Sequence, residues 1–131
     1  MDIPSVSIYL QPVAAGFPSP ADDFVENTLD LNEHLIRHPV ATFLVRAVGD
    51  SMIGAQITSD DILIVDRSLT PRPHDIVIAV IDGSFTVKRL RQKNNAFVLA
   101  AENPDYPDIT ISEGDDAVVW GVVTWVLHQA K

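Results

Sequence analysis

The chain contains a series of short apolar runs rich in β-branched residues, each bounded by polar or turn-forming residues, from about residue 41 almost to its end. Runs of this length and composition are typical of β-strands. Those predicted as strands lie at 42–48, 62–65, 76–81, 84–90, 97–101 and 118–127. Several short strands separated by turns predict a compact, mainly antiparallel β-domain.

Two turns and one bend are indicated between and within these runs. Asp82-Gly83 separates two of the runs, and this dipeptide is the strongest short-range indication of a β-hairpin. Lys93-Asn94-Asn95 indicates a second turn. Gly121 interrupts the last run, and we expect the strand to bend there.

The first forty residues follow no such pattern. Prolines forbid a long helix in the first twenty, at Pro4, Pro12, Pro18 and Pro20. Asp30 is a good N-cap with Glu33 placed as in a capping box, so we predict a short helix over 31–38 that stops before Pro39. The chain thus divides into an extended N-terminal arm (1–15), a linker with the short helix (16–40) and a β-rich domain (41–131).

Composition narrows the function. The 131 residues are 47% hydrophobic, which suffices for one domain with its own core. The net charge of −9 disfavours direct binding to nucleic-acid phosphates. The absence of cysteine excludes disulfides, thiolate nucleophiles and cysteine metal sites. No signal peptide or membrane-spanning stretch is recognisable, so we expect a cytoplasmic protein that does not enter a membrane.

Two residues are candidates for a nucleophilic site. Ser51 follows a predicted strand, so it lies on a loop where reactive groups often gather, although most loop serines only cap or form turns. Lys88 and Arg89 alternate along a predicted strand, so we expect one of them to face inward. A lysine among apolar neighbours gives up its proton more readily and can then deprotonate a serine, which makes Ser51 and Lys88 a candidate Ser–Lys dyad. The alternative interpretation is a lysine that protects an edge strand from aggregation, which is common.

Other chemistry fits the sequence less well. His34 and His38 have the spacing of two ligands on one helix face, but no third ligand accompanies them, and we expect no metal and no cofactor. Paired aspartates are expected to form solvated turns at 22–23, 60–61 and 115–116. Small residues around Ala15 and Gly16, flanked by prolines, predict an accessible extended segment of the kind that a protease cleft binds.

These pieces occur in an order that resembles the LexA/UmuD family of self-cleaving serine peptidases, and its UmuD-like members most. The matching motifs run from about residue 14 almost to the end of the chain. They are Ala15-Gly16-Phe17-Pro18-Ser19-Pro20-Ala21, Asp30-Leu31-Asn32, His38-Pro39, Gly49-Asp50-Ser51-Met52-Ile53, Asp61-Ile62-Leu63-Ile64-Val65-Asp66, Asp75-Ile76-Val77-Ile78-Ala79, Phe85-Thr86-Val87-Lys88-Arg89-Leu90 and Gly121-Val122-Val123.

The resemblance implies a catalytic domain in which Ser51 is the nucleophile and Lys88 the general base. It implies a scissile bond between Ala15 and Gly16, cut by the protein itself. Backbone amides around Ser51 are the candidate oxyanion donors, and we place this region at Gly49, Asp50 and Met52.

The same resemblance implies a biological setting. Cleavage in the family is stimulated by the RecA filament on single-stranded DNA in the SOS response to DNA damage. The shortened product joins a UmuC-like Y-family polymerase for error-prone translesion synthesis, and members of this kind are homodimers. Because glycine commonly stands in the family where this chain has Asp60 and His74, we expect these two residues to tolerate a positive φ.

Alternative functions remain at this stage. The main alternative is a catalytically idle interaction module that binds and restrains the polymerase. A signal-peptidase-like enzyme would share the dyad but need a membrane anchor. A phage-type repressor fragment, or a LexA repressor, would need a DNA-binding head, which we do not find ahead of Gly16.

Overall fold

The computed structural model describes residues 6–8, 15–16, 27–111 and 117–131. The chain divides into two compact units, Met1–Arg37 and His38–Lys131. In the first unit, strand β1 (Val6–Ile8) pairs antiparallel with strand β2 (Asn27–Leu29). Neither strand is predicted from the sequence, since three residues are too few to show a period.

A short helix, α1 (Leu31–Leu35), completes the described part of the first unit. The Asp30 side chain accepts a hydrogen bond from the backbone N–H of Glu33, which confirms the predicted N-cap. The helix is shorter than predicted, because Ile36 is already extended at φ −117° and ψ 97°. A 3-10 turn, Pro39–Ala41, follows instead of a continued helix, since a residue that precedes proline avoids the helical region.

The second unit is a single antiparallel sheet of seven strands. They are β3 (Thr42–Arg46), β4 (Ile62–Asp66), β5 (Ile76–Ile81), β6 (Ser84–Lys93), β7 (Ala96–Ala100), β8 (Ile109–Ile111) and β9 (Ala117–Leu127). Their order across the sheet is β3-β4-β9-β5-β6-β7-β8. The predicted antiparallel β-domain is therefore confirmed, and only β8 among these seven strands has no counterpart in the sequence analysis.

Both predicted hairpin turns are present. Asp82 and Gly83 have φ values of 49° and 80°, which is the left-handed pair of a tight β5–β6 hairpin. Asn94 and Asn95 have φ values of 50° and 65° between β6 and β7. The two turns were predicted from these residue types. Glycine adopts positive φ freely, and Asp and Asn tolerate it better than most other residues that carry a Cβ atom.

The sheet packs a separate hydrophobic cluster on each face. Alternate residues of β5 divide between them, with Ile78 in one cluster and Val77 and Ala79 in the other. The first cluster also contains residues of the β3–β4 connection, and its buried members are Ala47, Met52, Ile57, Leu63, Val65 and Ile78. Because this cluster includes loop residues on both sides of Ser51, it anchors the candidate site to the sheet.

Gly121 allows the long strand β9 to pass close to β4. A Cβ atom at this position would lie 2.6 Å from the Val65 Cγ1 atom, and Val65 is fully buried. The pairing of β9 with β5 shifts between Ile78 and Ala79, next to this glycine. The irregularity expected at Gly121 is thus a bulge beside a close approach of two strands.

Replacing Gly121 with alanine should therefore destabilise the protein. We expect Gly121→Ala to lower the free energy of unfolding by about 1–3 kcal/mol, the usual cost of overpacking a core, in urea unfolding followed by circular dichroism. Gly16→Ala is the matched control, since its Cβ would meet no atom within 4 Å. Equal stability of the two variants would contradict the proposed close packing of Gly121 against Val65.

Candidate active site

Ser51 lies on the loop that joins β3 to β4, as predicted. The base of this loop is closed by two backbone hydrogen bonds, from Ala47 N to Asp61 O at 2.8 Å and from Asp60 N to Ala47 O at 2.7 Å. Asp60 has a φ of 75°, which confirms that this position needs a residue tolerant of positive φ. His74, with a φ of 80°, confirms the same expectation for the turn before β5.

Asp61 fixes the base of the loop from inside the fold. Its carboxylate accepts hydrogen bonds from Thr58 N at 2.9 Å and pairs with His128 Nδ1 at 2.7 Å. The Thr58 backbone N–H, followed by the His128 side chain, holds the pKa of Asp61 below its usual value. The expectation of a solvated turn is wrong for Asp61, which is buried. The other two aspartate pairs, 22–23 and 115–116, lie outside the described residues.

The backbone around Ser51 leaves hydrogen-bond donors unused. Gly49 has a φ of 94°, and its amide donates to Ser59 Oγ at 3.3 Å. The amides of Asp50, Ser51 and Met52 donate to no other residue in the described part of the chain. Unused amides beside a serine hydroxyl are what an oxyanion hole requires, so the candidate donors are Asp50, Ser51 and Met52. Gly49, which was expected in this region, is not among them because its amide already donates to Ser59.

Ser51 lines a cavity of about 240 Å³ on the face of the first hydrophobic cluster. Its walls come from β3, β5, β6 and the β3–β4 loop. The apolar lining residues include Val45, Ile57, Ile78 and Val87. An apolar cavity beside an exposed backbone suits small aliphatic side chains of an extended peptide.

A second segment, residues 102–106 after β7, holds the Ser51 loop from its other side. Glu102 N donates to Ser51 O at 2.9 Å, and Gly54 N donates to Glu102 O at 2.7 Å. The Glu102 carboxylate in turn accepts from Arg89 Nε at 2.6 Å and Arg91 at 2.9 Å, both on β6. This single residue therefore connects the Ser51 loop to the strand that carries Lys88.

Lys88 is the inward-facing residue of the Lys88–Arg89 pair. It is 7% exposed, whereas Arg89 turns to Glu102. The Lys88 ammonium lies 5.9 Å from the centre of the Tyr106 ring and makes no hydrogen bond or ion pair with a described residue. Among the described residues, every side-chain nitrogen or oxygen that is shielded from solvent has a hydrogen-bond partner. Since the Lys88 Nζ atom has none, it keeps contact with solvent.

Tyr106 contacts both Lys88 and the residue before Ser51, but Ser51 and Lys88 are not hydrogen-bonded to each other in the described part of the chain. The Tyr106 hydroxyl donates to Asp50 Oδ1 at 2.6 Å, one residue before Ser51, while its ring faces Lys88. No hydrogen bond connects Ser51 to Lys88 within the described residues, and Lys88 is not among the residues that line the cavity. Catalytic hydrogen bonds are often long without substrate and shorten only when it binds.

Three residues of this site were missed by the sequence analysis. Glu102, Asn103 and Tyr106 contact the Ser51 loop from about fifty residues away in sequence, as in the hydrogen bond from Asn103 Nδ2 to Asp50 O at 3.0 Å. A local pattern carries no information about such contacts. The only sign was a polar, proline-containing segment directly after a strand.

The remaining predicted residues lie elsewhere. Ala15 and Gly16 form an exposed bend in the first unit. His38 follows the end of α1 and pairs with Asp66 Oδ2 at 2.5 Å. Within the described ranges, no three His, Asp or Glu residues are grouped as metal ligands, and no helix is long and apolar enough to cross a membrane.

Comparison with known proteins gives consistent matches. The family described as Peptidase S24-like matches residues 7–124. Protein SamA of Salmonella typhimurium (strain LT2) is 45% identical over 124 residues, which cover 95% of this chain and 86% of SamA. Protein MucA of Escherichia coli is 43% identical over 121 residues, or 92% of this chain and 82% of MucA. LexA repressor 1 of Geobacter sulfurreducens is 37% identical over 113 residues, or 85% of this chain and 55% of the repressor.

The Asp61 contacts predict a pH-dependent contribution to stability. A folded-state pKa below the ordinary value of 3.8 means that the contribution is complete above pH 3.8 and decreases as the pH falls below it. Asp61→Asn should therefore unfold at lower urea concentration than the unaltered chain at pH 7, and this difference should narrow towards pH 3. Asp60→Asn is the matched control, because the exposed Asp60–Arg46 pair at 3.9 Å contributes little. A difference that stays constant between pH 7 and pH 3 would contradict the assignment.

Proposed function

The chain belongs to the Peptidase S24-like family, and from this premise we propose that it is a serine endopeptidase that cleaves itself with a Ser51–Lys88 dyad. The mainly antiparallel sheet with one helix agrees with the LexA/UmuD-like fold. The observation that carries the proposal is the position of Ser51 at an apolar cavity, on a loop where three successive amides have no acceptor among the described residues. Tyr106 binds the preceding residue, Asp50. The same Tyr106 faces the buried Lys88.

The proposed reaction is acyl transfer followed by hydrolysis. The neutral Lys88 amine takes the proton of Ser51 Oγ as this oxygen attacks the Ala15 carbonyl carbon. Free amides of Asp50, Ser51 or Met52 donate to the oxyanion. When the Ala15–Gly16 bond breaks, Lys88 returns a proton to the Gly16 nitrogen. Water, deprotonated by the same amine, then hydrolyses the ester.

Ala15 and Gly16 suit this reaction as the cleaved pair. Ala15 fits a narrow apolar cavity, and Gly16 has no Cβ to obstruct the approach of the backbone to Ser51. Tethering the segment to the enzyme raises its effective concentration, so that a slow catalyst suffices. Removal of residues 1–15 takes away one charged side chain, Asp2, and changes the net charge only from −9 to −8 before the new amino terminus is counted. The products therefore differ from the precursor in shape and exposed surface more than in charge.

We further propose that this cleavage belongs to SOS mutagenesis. In this proposal the RecA filament on single-stranded DNA favours the docked state of the cleavage segment and so accelerates self-cleavage. The product, a homodimer in the cytoplasm, serves as an accessory subunit of a UmuC-like Y-family polymerase. Support comes from the sequence motifs shared with the LexA/UmuD family and from the similarity to SamA and MucA over most of their length.

The second candidate function is an interaction module without peptidase activity. It is favoured by one observation, the lack of a hydrogen bond between Ser51 and Lys88 within the described residues. In that case the full-length chain would bind and restrain the polymerase, and the serine and lysine would have no chemical role.

Self-cleavage distinguishes the two candidates. We expect the purified chain to give a product that begins at Gly16 when it is incubated at mildly alkaline pH, which increases the neutral lysine amine, or with RecA, single-stranded DNA and nucleotide. Intact mass spectrometry measures the product. Ser51→Ala and Lys88→Met should reduce its rate of formation at least about 100-fold, the contribution of a general base.

Matched variants control for general effects of substitution. Ser84→Ala removes a hydroxyl from an exposed position of β6, and Lys93→Met removes an ammonium from the same strand. Both should cleave at the rate of the unaltered chain. An intact chain under both incubation conditions would contradict the peptidase proposal and favour the interaction module.

A further inference from the structure

Tyr106 contacts both elements of the proposed dyad. We propose that Tyr106 is a positioning residue, whose hydroxyl fixes the Ser51 loop through Asp50 and whose ring holds the Lys88 ammonium beside that loop in the resting protein. The inference rests on the proposed peptidase function. It assigns to one side chain the placement of the nucleophile and of the base.

The hydroxyl contact acts on the residue before the nucleophile. Asp50 is held at two atoms, its carboxylate by the Tyr106 hydroxyl at 2.6 Å and its carbonyl by Asn103 Nδ2 at 3.0 Å. The hydrogen bond to Asp50, followed by the negative charge of that carboxylate, raises the pKa of Tyr106, so the hydroxyl keeps its proton and donates it. Both contacts restrict the loop at the point where the unused amides begin.

The segment that carries Tyr106 is itself well supported. Tyr106 N donates to Asn103 O at 3.1 Å, and Asp105 N donates to Asn103 Oδ1 at 3.0 Å. Glu102, at the start of this segment, is tied to Ser51 O at 2.9 Å and to Arg89 at 2.6 Å. Because these hydrogen bonds fix the backbone at Tyr106, its ring can hold the Lys88 ammonium in a defined place.

The ring contact acts on the base. A lysine ammonium within about 6 Å of an aromatic ring centre is attracted by the negative charge of the ring face. The Lys88 Nζ atom lies 5.9 Å from the centre of the Tyr106 ring. Because Lys88 has no hydrogen bond or ion pair among the described residues, the ring is the group in that part of the chain that attracts its charge. The contact keeps the ammonium at the residue that also binds Asp50.

The first test separates the hydroxyl from the ring by the rate of self-cleavage. Tyr106→Phe loses only the hydrogen bond, and we expect the rate to fall about 2- to 10-fold with an unchanged melting temperature. In an Asp50→Ala background the same change should have almost no effect, because the acceptor is gone. Phe97→Leu, which removes an exposed ring from β7, is the control and should leave the rate unchanged.

The second test measures the ring contact without requiring activity. In the Ser51→Ala chain, which stays intact, we would compare acetylation of Lys88 with that of exposed Lys93 by mass spectrometry from pH 7 to pH 11. Tyr106→Leu should raise the relative labelling of Lys88 about 2- to 5-fold at neutral pH, the equivalent of one cation–π contact. The ratio should narrow towards pH 11, because the ring attracts only the charged form of a lysine. Tyr106→Phe keeps the ring and should label like the unaltered protein.

The outcomes have distinct meanings. If Tyr106→Leu only made Lys88 more accessible to the reagent, labelling would rise by the same factor at every pH. That result would overturn the role of the ring, and so would unchanged labelling of Lys88 in Tyr106→Leu. An equal loss of rate from Tyr106→Phe with and without the Asp50 carboxylate would overturn the role of the hydroxyl. If the unaltered chain does not cleave itself, the proposed function fails, while the labelling experiment still decides whether Tyr106 holds Lys88.

Discussion

The backbone hydrogen bonds between Glu102 and the Ser51 loop are the interaction on which the candidate site depends. The loop begins and ends at β3 and β4, near one edge of the sheet, whereas Glu102 follows β7, near the other edge. Two short backbone contacts therefore join parts of the sheet that are separated by several strands. Because Glu102 also binds Arg89 on β6, a shift of the loop relative to the Lys88 strand would break contacts on both sides. The sheet thus provides a rigid frame for a loop that would otherwise be free to move.

The buried charges of the described chain show which residue the fold stabilises least. Asp61, Asp66 and Lys88 are its buried charged residues. The Asp66 carboxylate accepts hydrogen bonds from the Ser68 amide at 2.8 Å and hydroxyl at 2.6 Å, and Asp61 has the partners described above. Lys88 has the face of the Tyr106 ring as its contact among the described residues, and its Nζ atom keeps contact with solvent. A mostly buried lysine without a hydrogen bond or ion pair from a described residue is less well stabilised than the two aspartates, and it is the residue that the proposed reaction uses as a base.

Local patterns predicted much of the fold but little of the support around the site. Asp82-Gly83, the Asp30 cap and the long apolar runs act within a few residues, so their structures could be inferred from the sequence. Strand β8 could not, because three residues show no period. Asp61 was misjudged because its partner His128 lies far along the chain, where no local pattern connects the two residues. Ser51 and Lys88 became candidates through their chemistry and the family motifs, whereas the contacts of Tyr106 with both arise only from the fold.

Covalent labelling can show whether Ser51 is a nucleophile that Lys88 activates. The full chain would be incubated with a fluorophosphonate probe, and the modified serines would be identified by peptide mass spectrometry. We expect modification of Ser51, with a rate at least about 100-fold lower in Lys88→Met. No modification of Ser51, or modification at the same rate without Lys88, would contradict this expectation.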